Sequence, residues 1–391
     1  MQIEGRLQID LYPQAGQGHA VSIRSTRPLQ AARIFEGKSV PEVLMQLPLL
    51  FSICGVAQAT AATRAFKQAL GRRETGTTDR ARALLVDMES AREHLWRILL
   101  DWPTLLNEAV DARRAAAIQP LLPALRQALF GQADAFALET PAQVDMSAVT
   151  TVIERLEQLL AEQVFDGSAD AWRAMTTKTA LHDWAHSADS VAARLLRQVI
   201  VRDWQAVAAC DVAPLPALPP ARLNAQLATG DAETFIAAPR WETRPRETSA
   251  LTRQADHGLT RALREHYGNG LLTRLTARLL ALASIPGDMR RLLAGLDDSP
   301  VDGTDGALAG GIGIGQVEAA RGRLVHRVEL ADTRVRRYQI LAPTEWNFHP
   351  EGVVAQGLAR LPMADKETLR EQAALLINAV DPCVGYALEL H

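Results

Sequence analysis

Apolar residues alternate at the start of the chain. Ile3, Leu7, Ile9 and Leu11 lead into a Gly-Gln-Gly turn at 16–18 and then Ala20-Val21-Ser22-Ile23, which predicts an N-terminal β-hairpin. From Pro28 onward the period lengthens. In 81–100, Leu84, Leu85, Met88, Leu95, Trp96 and Leu99 recur at three- and four-residue steps, the spacing of an amphipathic helix, and similar patterns predict helices near 118–131, 147–162 and 190–208. The stretch 211–220 holds four prolines, which no helix interior tolerates, so it reads as a linker. Helical periodicity returns over 249–296, broken at Gly268-Asn269-Gly270, and the glycine- and aspartate-rich 297–315 reads as a long loop. A second hairpin is predicted from 323–329 and 335–341 around Ala331-Asp332-Thr333, and a last helix near 366–380 leads into Asp381-Pro382-Cys383. The fold class is therefore mainly α with small β elements, a multihelical bundle with an N-terminal β-hairpin and a second β region near 313–341. Its units are 1–210, the linker 211–220 and 221–391, or one continuous domain. No internal repeat is visible.

Composition narrows the function classes. With 391 residues, 48% of them hydrophobic, the chain can bury a large core. Its 42 basic and 45 acidic residues leave a net charge of -3 and no basic footprint, which argues against nucleic acid as a partner. The first residues are polar and carry an acid, unlike a secretory signal, so a cytoplasmic protein is expected. Apolar runs such as 47–57 fall short of the roughly 20 residues that span a bilayer, so no membrane insertion is expected. The odd set Cys54, Cys210 and Cys383 is the usage of a reducing compartment and predicts no disulfide framework.

Candidate chemistry rests on two short motifs far apart in the chain, Phe51-Ser52-Ile53-Cys54-Gly55-Val56-Ala57 and Asp381-Pro382-Cys383-Val384-Gly385-Tyr386. Either cysteine by itself is most simply a small buried hydrophobe. Together they resemble the two metal-binding motifs of nickel-iron hydrogenase large subunits, Arg-x-Cys-Gly-x-Cys-x-x-x-His and Asp-Pro-Cys-x-x-Cys-x-x-His. Cys54 and Gly55 match the first, with Ser52, Ala57 and Ala61 where the arginine, second cysteine and histidine would stand. Asp381, Pro382 and Cys383 match the second, with Tyr386 and Glu389 replacing its second cysteine and histidine. Three further stretches extend the resemblance. Ile3-Glu4-Gly5-Arg6-Leu7-Gln8-Ile9 is similar to the family's Ile-Glu-Gly-His-Leu-Arg-Ile. Glu318-Ala319-Ala320-Arg321-Gly322 is similar to Glu-Ala-Pro-Arg-Gly, and Ala342-Pro343-Thr344-Glu345-Trp346-Asn347 resembles Pro-Thr-Thr-Trp-Asn. The family's Arg-Gly-x-Glu is reduced to Arg27-Pro28-Leu29-Gln30.

The resemblance implies a hydrogenase large-subunit-like helical bundle in which Cys54 and Cys383 become neighbours and serve as metal ligands. Glu4 takes the family's acidic position near the site, and Arg321 and Thr344 become donors to cyanide nitrogens. In the family four thiolates hold nickel and two of them bridge to an iron carrying cyanide and carbon monoxide. By position Cys54 and Cys383 match the nickel-only thiolates, while Ala57 and Tyr386 replace the bridges. Alanine cannot ligate and a phenol is a poor substitute for a soft thiolate, so a stable nickel-iron pair and hydrogen turnover are not expected. The sequence as given ends at His391, so the extension that a protease removes from immature catalytic subunits is not expected here. These features point to the accessory branch of the family, the hydrogenase expression/formation proteins of the HupK/HoxV type. Membership implies a non-catalytic scaffold that transiently holds the iron-cyanide-carbonyl fragment, with nickel a weaker candidate. Its partners would be other maturation proteins and the catalytic large subunit. The alternatives are a divergent hydrogenase, with Tyr386, Glu389 or His391 as substitute ligands, and a metal-free interaction module.

Other features read as structural. Cys210 precedes the linker and matches no motif, and Gly310–Gly315 has the wrong spacing for a dinucleotide loop. His94 and the clusters Arg240, Arg244, Arg246 and Arg334, Arg336, Arg337 read as an ordinary helix histidine and as solvated faces.

Overall fold

The computed structural model describes residues 5–14, 18–72, 75–296, 308 and 310–391. Glu4, part of the turn at 16–18 and most of the predicted loop 297–315 lie outside the described residues. The N-terminal hairpin forms from β1 (Arg6–Pro13) and β2 (His19–Ser25), and alternation turns Leu7, Ile9 and Leu11 into the core. Helix α1 (Val40–Leu50) starts at Ser39, whose backbone N–H and hydroxyl both bond Glu42, a capping box that satisfies otherwise unpaired amides. Next come α2 (Gly55–Ala69) and α3 (Gly76–Trp96), then α4 (Leu121–Phe130), α5 (Met146–Leu160), α6 (Val191–Val201) and α7 (Gly258–Tyr267). The long α8 (Leu271–Ala294) is buried on nearly every face and forms the axis of the bundle. No single helix among the described residues is long and apolar enough to cross a membrane.

The second β region lies where it is expected, near 313–341, and adds one strand to the expected hairpin. The strands β3 (Ile312–Ala319), β4 (Gly322–Ala331) and β5 (Arg334–Leu341) form an antiparallel sheet in that order, so 312–315, read as loop, is strand. Glycine misled the reading here because its role is close approach. A Cβ on Gly313 or Gly315 would sit 1.9 Å from the carbonyl oxygen of Ala65 or Ala61, so the strand lies directly on the backbone of α2. The short α9 (Pro343–Asn347) and α10 (Lys366–Val380) follow.

One strand was not predicted from the sequence. Short and half-exposed, with Tyr386, Leu388 and Leu390 at two-residue steps, β6 (Gly385–Leu390) runs parallel to β1, with Arg6 opposite Gly385 and Leu11 opposite Leu390. Both ends of the chain therefore meet in one sheet, ordered β2-β1-β6. A buried apolar cluster extends from Leu7 to Val384 and draws residues from both sides of 211–220. That proline-rich segment is pinned, since Leu215 N donates to Glu247 O at 2.7 Å and Glu247 N to Ala213 O at 3.0 Å. The Glu247 carboxylate in turn pairs with fully buried Arg274 at 2.6 Å.

Candidate functional site

Cys383 is placed by the end of α10. Asp365 caps the start of that helix, and the chain leaves its other end at Asp381, whose φ of 69° lies in the left-handed region that aspartate tolerates better than most side chains. Three guanidiniums surround its side chain. Arg97 Nε lies 2.8 Å and Arg321 Nε 3.2 Å from Asp381 Oδ1, and Arg278 Nη1 lies 3.2 Å from Oδ2, all around a carboxylate only 2% exposed. Burial opposes the Asp381 charge, but Arg321, Arg97 and Arg278 outweigh it and hold the carboxyl well below its usual range. Two residues on, Thr344 at the start of α9 grips Cys383 twice. Its hydroxyl donates to Cys383 Sγ at 2.9 Å and accepts from Cys383 N at 3.1 Å.

Cys54 arrives by another route, as the residue that opens α2. The first amides of a helix lack partners within it. Here a buried acid of α3 supplies them: Glu89 accepts from Val56 N and Ala57 N, both at 2.9 Å. One turn along α2, Gln58 Nε2 donates to Cys54 Sγ at 3.5 Å. Cys54 keeps some solvent contact, yet protein crowds its sulfur. Burial first, then the neighbouring Cys383 and Glu89, push its thiol up to about 12. Burial likewise pushes Glu89 up to about 7, against the two amides that favour its charge.

Arg321 joins the two sides. It lies in the tight β3–β4 turn before Gly322, whose φ is 127° and whose added Cβ would collide with Thr248 O at 1.8 Å. Buried Asn347 holds that turn, donating to Arg321 O and Thr248 O at 3.2 Å and accepting from Thr248 N at 2.8 Å. Arg321 Nη2 donates to Glu93 Oε2 at 3.1 Å. Burial works against the Arg321 charge, but Asp381 and Glu93, followed by the Cys383 and Cys54 sulfurs, hold it above the usual guanidinium value. Both cysteines thus interact electrostatically with each other and with one arginine. Four of the residues singled out in the sequence, Cys54, Cys383, Arg321 and Thr344, are brought together.

The remaining candidates lie elsewhere. Glu4 is outside the described residues. Ala57 and Ala61 are fully buried in α2, and Tyr386 is 36% exposed on β6, its phenol near Asp101 and Arg97. Glu389 and His391 lie at the far end of β6 beside Asp10, with ligand atoms within 4.8 Å of one another. That cluster is a clasp for the chain end. Asp10 already accepts from Arg24 at 3.0 Å and Gln8 at 3.1 Å, and His391 stacks on Tyr12 at 4.2 Å. Cys210 is buried, its Sγ 3.5 Å from Val353 O. The arginine clusters are engaged locally, Arg240 with Glu351, Arg246 with Glu242 and Arg336 with Glu329. His94 is buried beside Arg278, Arg253 and Asp381, where burial first, then the cations, hold it well below the usual imidazole range and so neutral. Sequence reasoning missed Gln58, Glu89, Glu93, Arg97 and Arg278. Gln58 was within reach, one helical turn from Cys54, and the two glutamates stood out as charges inside the buried stripe of α3.

The fold has a clear class. It superposes on the nickel-iron-selenium hydrogenase of Desulfovibrio vulgaris Hildenborough with a TM-score of 0.63, covering 94% of each chain at 16% identity. On the enzyme of Desulfomicrobium baculatum the TM-score is again 0.63, covering 95% of each chain at 14% identity. Residues 214–389 match the nickel-dependent hydrogenase family. The architecture is that of a hydrogenase large subunit. Within that class, the chain is 33% identical to the hydrogenase expression/formation protein HupV of Azotobacter chroococcum, over 99% of this chain and 98% of the relative. It is 32% identical to HoxV of Cupriavidus necator, over 95% and 93%. Its similarity to the uptake hydrogenase large subunit of Bradyrhizobium diazoefficiens, 35%, covers only 19% of this chain. The chain belongs to the hydrogenase expression/formation protein family.

Proposed function

We propose that this protein serves hydrogenase maturation in the cytoplasm as a non-catalytic scaffold that holds the iron-cyanide-carbonyl unit on Cys54 and Cys383 and passes it toward a catalytic large subunit. The observation that carries this reading is the convergence of two partly exposed thiols on one buried arginine, from opposite ends of the sequence. Thiolates suit a soft, low-valent metal unit. The Arg321 guanidinium, held by Asp381, is a donor of the kind a cyanide nitrogen requires, and the Thr344 hydroxyl, whose one hydrogen goes to Cys383 Sγ, would join it by turning toward the cargo. A resident nickel-iron pair does not fit this donor set. Ala57 offers no ligand and is buried among apolar residues of α2 and the second sheet, which leaves no shared thiolate on that side. Holding cargo by two sulfurs instead of four favours release, and other maturation proteins would deliver what the large subunit receives.

The test is infrared spectroscopy with iron and nickel analysis on protein purified without oxygen from a host expressing the hydrogenase maturation system. Cyanide and carbonyl bands with iron and little nickel, lost in Cys54→Ala and Cys383→Ala, are the expected result. Absence of bands and metal would overturn it in favour of a metal-free interaction module. Hydrogen-dependent dye reduction by the purified protein would overturn it in favour of an enzyme.

A further inference from the structure

Behind Cys54 runs a line of buried polar groups that crosses three elements. Gln58 of α2 is 2% exposed, His326 of β4 0% and Tyr338 of β5 2%. Gln58 Nε2 lies 3.5 Å from Cys54 Sγ, His326 Nε2 2.7 Å from Gln58 Oε1, and His326 Nδ1 2.7 Å from the Tyr338 hydroxyl. Phe35 and Phe66 pack on the tyrosine ring at 5.1 and 5.9 Å, so the far end is fixed by aromatic contacts. Nothing in the scaffold reading uses His326 or Tyr338.

Counting protons along the line fixes its direction. A glutamine carbonyl only accepts, so His326 Nε2 carries the hydrogen that faces it. Burial keeps His326 neutral, which leaves Nδ1 as an acceptor for the Tyr338 O–H. Every donor then points toward the sulfur: Tyr338 to His326, His326 to Gln58, Gln58 to Cys54. Turning the Gln58 amide over would reverse each bond and set its carbonyl against Cys54. The Tyr338 hydroxyl would then accept from Nδ1, and its own proton would have no acceptor among the described residues, an expensive state in a buried site. The tyrosine, two groups away from the sulfur, therefore decides which face of the amide Cys54 meets.

We propose that Tyr338 and His326 are positioning residues that act through Gln58, locking its amide so that an N–H, and not the carbonyl, faces Cys54 and steadies the electron-rich sulfur when it holds cargo. The purpose rests on the scaffold reading; the locked amide does not. A sulfur met by a donor is kept as an acceptor and a ligand, whereas one met by a carbonyl is drawn to keep its proton.

The lock is read in metal-free protein. With ¹⁵N-labelled histidine, NMR of the unaltered chain is expected to show His326 as a single tautomer protonated at Nε2, and the Nδ1-protonated form would overturn the proposal without any variant. Tyr338→Phe, which removes one oxygen and keeps the ring, is expected to give a mixture of tautomers. In the same variant the Cys54 S–H infrared band, assigned with Cys54→Ala, is expected to move to lower frequency as the thiol begins to donate to the turned Gln58 carbonyl. An unchanged tautomer or an unmoved band in a normally folded Tyr338→Phe protein would overturn it. The expected tautomer together with absent cyanide and carbonyl bands would sink the scaffold reading and leave the lock standing; bands with the reversed tautomer would do the opposite.

Discussion

Two buried carboxylates flank the paired sulfurs and behave in opposite ways. Asp381, beside Cys383, sits among three guanidiniums and stays charged far into the acid range. Glu89, beside Cys54, is met by two backbone amides at 2.9 Å and by Arg92 only at 3.7 Å, so burial dominates and raises it to about 7. Amide dipoles can hold a carboxyl group in place without holding its charge, and full guanidinium charges do both. The Cys383 wall is thus an ionic frame whose geometry is over-determined. The Cys54 wall is a helix start whose electrostatics depend on pH.

The contrast is tested most severely at Asp381. Asp381→Ala leaves buried Arg278 and Arg321 and half-buried Arg97 short of a counter-charge, and unfolding in urea is expected to show a loss of about 3–5 kcal/mol, the range for breaking a buried pair by removing one partner. A loss below about 1 kcal/mol would show that the frame is not what holds Cys383. The two acids also differ in the sign of their pH dependence. Asp381 has a folded pKa below its ordinary 3.8, so it contributes stability above that value that is lost as pH falls through its folded pKa. Glu89 keeps its proton up to about 7 when folded and releases it near 4.5 when unfolded, so its contribution is full below 4.5 and lost as pH rises through about 7. Glu89→Gln is expected to remove that slope between pH 4.5 and 7. It should also lower stability by about 1–3 kcal/mol at pH 5, because one amide of α2 then faces an NH₂ group. Denaturation midpoints across pH check both parts, and a slope that survives the substitution refutes the assignment.

Smaller effects sharpen the comparison. Gly315→Ala forces a methyl toward Ala61 O and is expected to destabilise by about 1–3 kcal/mol, with the start of α2 disturbed more than α10 in hydrogen exchange. Equal disturbance of both would mean that the two walls are mechanically one. Thr344→Val removes the donor to Cys383 Sγ while keeping the shape, and a loss of about 0.5–1.5 kcal/mol is expected in the same denaturation measurement.

Much was legible in the sequence because periodicity is a local property. The 3.6-residue pattern located 366–380 with its bounds, and the alternation of Leu7, Ile9 and Leu11 found β1. The motif pairings named Cys54, Cys383, Arg321 and Thr344 before any geometry was available. What escaped depended on distant neighbours. Strand β6 carries only a three-residue alternation, Tyr386, Leu388 and Leu390, and depends on the edge that β1 offers it. Gly313 and Gly315 looked like loop residues because the helix backbone that needs their missing side chains lies some 250 positions earlier in the chain. Glu89 and Glu93 stand inside the apolar stripe of α3, but their partners, the Cys54 turn and Arg321, come from other elements.

The sequence by itself therefore determined most element types, the family resemblance and the four residues that meet at the site, since each is written in local spacing or in motifs of a few residues. Tertiary structure decided their charge states and orientation. Which carboxylate keeps its proton, and which face of Gln58 meets Cys54, are set by burial and by partners from other elements, and the free energy of a charge or a proton depends on everything that surrounds it.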